Sequence, residues 1–359
     1  MIGVLGMDEE ATTSYRVLLT ITFLLPAILI AFIRRPRLFI VTYLVAFIIL
    51  SLNLILFPAN TEYLLPSASR FLLPVVIPSA LCIISVSNID DVEYTVYKLS
   101  WIAAIIMLFY FFNLLIGKVI IMGYNMSLSY ALLLPTVTLY HKKSALSLLA
   151  SLFLFLMIVA LGSRGAAVFA LAYVCYDILI SNRKLILPII IIVLGILALL
   201  PIFLQFLTEF GINSRTLMML LEGDFASDSG RGGIYEIIAQ QIAENPLLGI
   251  GLFGDRTVIG NYCHNFILEI ISGFGVILGG TIILFFFTYL IATYFKNNRQ
   301  RRDILIRYSI ISIAPLLVSG SYLQDYNLAA MLGIAVLINR KRQNPAIPNK
   351  VVRIGYDAR

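Results

Sequence analysis

Long apolar runs, broken by charges, prolines and glycines, recur from one end of this chain to the other. Such runs leave few folds open. Inside lipid no water completes the backbone hydrogen bonds, so a crossing segment must satisfy its own by forming a helix. The runs predict eleven helices, near 16–33, 38–57, 71–86, 99–121, 127–140, 144–161, 165–180, 185–207, 267–295, 304–322 and 326–339. Several are shorter than the roughly 20 residues that a perpendicular crossing needs. With 60% hydrophobic residues, 13% charged residues and a mean hydropathy of +0.96, a water-soluble domain could not bury the apolar surface. The expected architecture is all-α: a polytopic membrane helical bundle forming a single integral membrane domain over residues 1–359, with no internal repeat.

The charges orient the bundle. One set of alternating loops holds Arg34-Arg35-Pro36-Arg37, Lys98, Lys142-Lys143, Arg183-Lys184 and the basic run from Lys296 to Arg302. The other set holds few basic residues. Basic loops stay in the cytoplasm, so a cytoplasmic tail over 340–359, an outward N-terminus and an outward loop over 208–264 are expected. The net charge of +7 therefore reads as membrane orientation and not as nucleic-acid binding. No basic leader precedes the first apolar run, so no cleavable signal peptide is expected.

The large loop is polar and rich in glycine, unlike the rest of the chain, and carries Arg215, Arg231 and Arg256. After Ser229-Gly230-Arg231-Gly232, the residues Ile234, Ile237, Ile238 and Ile242 recur at helical spacing, with Tyr235, Glu236, Gln240 and Gln241 between them. This predicts an amphipathic helix lying on the membrane or covering a cavity. Asn245-Pro246 ends it, because proline cannot continue the hydrogen-bond ladder. His264, one of two histidines, stands where the next apolar run begins.

A guanidinium placed outside, against the charge bias, needs a reason. Arg16, Arg70 and Lys118 read as side chains that snorkel to lipid headgroups. Arg164, in a Gly-Ser-Arg-Gly turn, is open to either a lipid or a ligand reading. Arg231 lies in the first turn of its helix, where free N–H groups and the helix dipole favour an anion. Arginine grips phosphate oxygens through a planar fork, so Arg164 and Arg231 together could clamp a pyrophosphate. His264 reads either as an interfacial histidine or as a general base. Its ordinary pKa of about 6.5 leaves the ring largely neutral near pH 7, and a neutral imidazole can accept a proton from a hydroxyl. Asn265 and Glu269 could orient it. His141, in a His-Lys-Lys turn, reads as solvated. Cys82, Cys175 and Cys263 show no metal-type spacing. Asp90, Asp91 and Glu93 could hold Mg²⁺ for a nucleotide-sugar reaction, but they fall on the cytoplasmic side and read more simply as a solvated loop. No nucleotide-binding fingerprint is present.

Taken in order, Gly162-Ser163-Arg164-Gly165, Ser229-Gly230-Arg231, Glu244-Asn245-Pro246-Leu247-Leu248-Gly249-Ile250-Gly251, His264-Asn265 and Gly273-Phe274-Gly275 resemble the O-antigen ligase and O-antigen polymerase superfamily over about residues 160–285. The resemblance implies a GT-C-like glycosyltransferase of the bacterial cytoplasmic membrane, with its active site facing the periplasm. It implies a glycan donor linked to undecaprenyl pyrophosphate, a sugar-hydroxyl acceptor, inversion at the anomeric carbon, and neither metal nor other cofactor. By motif match Arg164 and Arg231 would hold the donor pyrophosphate and His264 would activate the acceptor. Arg215, Arg256, Asn265, Glu269 and Tyr235 would have supporting roles. The family often shows twelve spans with both ends cytoplasmic, and the eleven counted here depart from that. Polymerisation of lipid-linked repeat units is the first reading of the activity. Ligation of finished glycan to lipid A-core or another acceptor is the second. A lipid-linked oligosaccharide flippase is a third, and it predicts polar residues near the bilayer midplane. Here they gather at the outer surface instead.

Overall fold

A computed structural model describes residues 22, 24–116, 125–181 and 231–340. The described residues form helices and turns without strands. In chain order the helices are α1 (Leu24–Arg34), α2 (Pro36–Leu56), α3 (Pro58–Ile84), α4 (Ile89–Leu115), α5 (Met126–His141), α6 (Ala145–Ala160), α7 (Arg164–Ser181), α8 (Arg231–Glu244), α9 (Gly254–Ile259), α10 (Phe266–Lys296), α11 (Arg299–Val318) and α12 (Tyr326–Asn339). Four of them, α2, α3, α4 and α10, are long and apolar enough to cross a membrane by themselves. Their outward faces are greasy: Ile105 and Phe109 on α4 and Leu284 and Phe285 on α10 are exposed, as side chains facing lipid are. The predicted helix over 185–207, the tail beyond Arg340, Arg215 and the first part of the large loop lie outside the described residues.

Contacts between helix ends sort the bundle into two ends. At one end Asn125 N–H donates to the Leu161 carbonyl at 2.9 Å, Ser319 Oγ lies 3.5 Å from Met126 Sδ, and Arg231 donates to the Val318 carbonyl. At the other, Asn297 Nδ2 donates to Asn339 Oδ1 at 3.0 Å, and Arg340 reaches the carbonyls of Ile84 and Val86 at 2.7 and 3.3 Å. The second end gathers Arg34, Lys142, Lys143, Lys296 and Arg340, the residues whose bias predicted one basic face.

Several boundaries differ from expectation. α4 starts at Ile89 and not near 99, because Asn88 caps it, accepting from Asp90 N–H at 3.2 Å, and Asp90 and Asp91 suit the positive end of the helix dipole. The acidic group is thus a helix start and not a loop, and Glu93 is ion-paired with Arg307. α3 starts at Pro58 and not near 71. The backbone passes Pro66 and Pro74, which lack an N–H, by widening into a π-helical stretch over Ala68–Val76. α10 is not a continuous rod: Gly275, at φ 77° and ψ 172°, breaks it. On α8, Ile238 is buried while Ile237 is 45% exposed, so the apolar stripe is narrower than the spacing suggested.

Candidate active site

The break in α10 positions the site. The segment Pro246–Gly251 enters it: Val276 N–H donates to the Pro246 carbonyl and Ile250 N–H to the Ser272 carbonyl, both at 2.7 Å. The approach leaves no room for side chains. A Cβ on Gly249 would stand 2.2 Å from the Ser272 oxygen, and one on Gly275 would stand 2.3 Å from the Leu247 oxygen. The two glycine motifs, far apart in sequence, are two halves of one joint. Asn60, at the start of α3, fixes the other side of the segment. Its Nδ2 donates to the carbonyls of Ile250 and Leu252 at 2.8 and 3.2 Å, and its Oδ1 accepts from Thr257 Oγ1 at 2.9 Å.

Beyond this joint lies α9, and its charges form a sealed network. Arg256 is 5% exposed; its Nη1 lies 2.6 Å from Asp255 Oδ1 and 3.0 Å from Glu269 Oε1. Its guanidinium carbon sits 4.4 Å from the centre of the Phe253 ring. Glu269 also accepts from Ser321 Oγ and, at 3.1 Å, from Tyr322 N–H. Asp255 Oδ2 accepts from Cys263 N–H at 3.0 Å. The network ties α9, α10 and the α11–α12 turn together and holds the residues on both sides of His264. Buried charges persist only when paired in this way.

His264 itself adopts a left-handed backbone, φ 58°, which costs a non-glycine residue about 1–3 kcal/mol. Its ring packs against that of Tyr262, 4.3 Å between centres. Its Nδ1 is buried with no hydrogen-bond partner among the described residues. Burial first, and the positive charge of Arg231 second, hold the imidazole pKa below its ordinary value, with Asp255 opposing. Both effects favour the uncharged ring over the imidazolium. Arg231 opens α8, as the sequence suggested, and donates to the Val318 carbonyl at the end of α11. That bond uses one of the five N–H groups of the guanidinium.

Of the sequence candidates, Arg231 and His264 are thus close enough to interact electrostatically, and Arg256 and Glu269 form a buried pair behind them. Arg164 opens α7 at the same end of the bundle, joined to Arg231 through Leu161–Asn125 and Met126–Ser319. The Asn265 side chain caps α10, its Oδ1 accepting from Ile267 and Leu268 N–H at 3.0 and 3.3 Å. Glu269 is likewise engaged with Arg256, Ser321 and Tyr322. Tyr235 is half-buried on α8. Cys263 is buried and donates to the Asn265 carbonyl; burial pushes its thiol up to about 12, so it is inert packing. Sequence reasoning missed Asn60, Asp255 and Ser321, which bear no local signal of their long-range partners.

Residues 149–284 match the family model described as O-antigen ligase. This bears out the superfamily resemblance for that segment, which contains Arg164, Arg231, Arg256, His264 and Glu269 and runs from α6 into the second half of α10. No curated protein matches the chain. No solved structure matches it either.

Proposed function

We propose that this chain is a membrane glycosyltransferase that moves a glycan from undecaprenyl pyrophosphate to an acceptor hydroxyl at the end of the bundle that holds His264. The observation that carries this reading is a half-buried His264 whose Nδ1 has no hydrogen-bond partner among the described residues, within electrostatic reach of Arg231 and inside the segment that matches the ligase family. The acceptor O–H loses its proton to the imidazole as its oxygen attacks the anomeric carbon. The bond from that carbon to the pyrophosphate oxygen breaks on the opposite face, so configuration inverts. The electron pair leaves on the pyrophosphate, whose charge Arg231 and Arg164 neutralise through fixed guanidinium groups. The lipid-facing helices seat the polyprenyl tail, and α8 limits the access of water to the donor.

Polymerisation of lipid-linked repeat units is the first reading. Ligation of finished glycan to a second acceptor is the other, favoured by the description of the matched family. Purified protein is incubated with a glycan carried on polyprenyl pyrophosphate and the products are run on a gel. A ladder indicates polymerisation, and a single shifted product with an added acceptor indicates ligation. Absence of any transfer, with the donor intact and the protein folded, overturns the proposal.

A further inference from the structure

The opposite end of the bundle carries a second polar cluster, which glycan transfer does not use. α5 ends at His141, α7 carries Asp177 close to its end, and α11 carries Asp303 close to its start. One ring nitrogen and one oxygen from each carboxylate lie within 4.8 Å of one another. The three side chains line a cavity of about 790 Å³ that also holds Lys143, Arg299 and Arg302. No local pattern marks this grouping, since the three residues are far apart along the chain.

Two observations point to a cation. Asp303 Oδ2 is buried without a hydrogen-bond partner among the described residues, although buried carboxylate oxygens are costly to leave so. His141 Nδ1 stands 3.3 Å from it but is charged only when protonated. Asp177, for its part, already faces a cation belonging to the protein: Lys143 Nζ lies 2.8 Å from its Oδ2, on a side chain that is 49% exposed and free to swing outward. Glu93 also lines the cavity and is paired there with the buried Arg307. Tyr140 O–H donates to Asp177 Oδ2 at 3.2 Å, an outer bond of the kind that orients a metal ligand, whereas the Tyr173 hydroxyl, 3.1 Å from His141 Nδ1, shares the nitrogen that would bind the metal and must give it up.

We propose that His141, Asp177 and Asp303 form a binding site for a divalent first-row metal ion of the zinc type. One imidazole with two carboxylates suits such a metal better than calcium or magnesium, which favour all-oxygen sets. The 3.3 Å between His141 Nδ1 and Asp303 Oδ2 is the ligand-to-ligand edge of a tetrahedron with metal bonds of about 2.0–2.1 Å. Asp177 completes three protein ligands by exchanging Lys143 for the metal, and the fourth position faces the cavity. The ion ties α5, α7 and α11 together at the end of the bundle away from His264.

The full chain, purified and stripped with a chelator, is titrated with ZnCl₂ against a fluorescent zinc indicator. One ion per chain is expected, with binding weakened about tenfold or more by His141→Ala and by Asp303→Asn. Lys143→Ala, a change in a half-exposed side chain, removes the competing cation and tightens binding. His264→Ala, which deletes the other histidine, leaves it unchanged. The proposal is overturned if zinc fails to bind stoichiometrically, if Lys143→Ala leaves affinity the same or weaker, or if His264→Ala abolishes binding. The readout is metal occupancy, so it stands or falls independently of glycan transfer.

Discussion

Arg256 and Glu269 form a buried ion pair, Nη1 to Oε1 3.0 Å, across the turn that carries His264. Asp255 on the same guanidinium and Ser321 on the same carboxylate make it a network. Arg256 is almost fully enclosed, so the network is placed to brace the turn that carries His264.

Arg256→Met leaves two carboxylates buried and unpaired, a loss of about 3–5 kcal/mol for a broken buried pair. The thermal midpoint of the purified protein falls sharply, and adding Glu269→Gln to Arg256→Met restores part of it because one orphaned charge is gone. Equal midpoints for wild type and Arg256→Met would show that the network is not a clamp.

Gly249 and Gly260 both have left-handed backbones, φ 70° and 73°, but only at Gly249 would a Cβ meet other backbone; around Gly260 there is open space. Gly260→Ala therefore bears left-handed strain alone, about 1–2 kcal/mol. Gly249→Ala bears the same strain and also forces Ser272 away, opening the joint between the loop and the α10 break. Unfolding measurements should rank Gly249→Ala well below Gly260→Ala. Equal losses would mean the joint gives way freely.

The pH profile follows from the sign of the His264 shift. Burial and Arg231 both disfavour the imidazolium, so the base form persists below the ordinary histidine value and the acid limb of kcat/KM lies below about 6.5. Arg231→Gln removes a repelling positive charge and moves that limb upward. Arg231→Lys retains much of the charge but not the fork, so it weakens donor binding while moving the limb little. A limb that does not move in Arg231→Gln would separate Arg231 from the base.

The proposed transfer routes no step through a metal. EDTA leaves the initial rate of transfer unchanged, even if stripping the proposed zinc from the opposite end lowers thermal stability. A rate lost to EDTA and restored by Mg²⁺ would contradict the scheme.

How much of this was legible depended on the range of the interaction. The two-ended bundle was readable because Arg34, Lys142, Lys143 and Arg340 record the membrane's charge bias in the sequence itself. Arg231 at a helix start was readable from Ser229-Gly230 before it and the isoleucines after it. The break at Gly275 was not, because an apolar run reads as a rod until the Pro246–Gly251 segment that fills the gap is known. Asn60 and Ser321 were hidden for the same reason: each meets its partner across a long stretch of chain. The His141–Asp177–Asp303 cluster shows the limit most clearly, since His141 beside two lysines reads as a solvated turn until α7 and α11 close around it.

The most direct measurement is single-turnover transfer from a polyprenyl-pyrophosphate glycan by wild type and by His264→Ala, with donor binding measured in parallel. Removing a general base slows proton transfer by about 10²–10⁴-fold, so the account predicts a loss of that size with donor binding retained and the protein folded. A His264→Ala protein that transfers at the wild-type rate would contradict it.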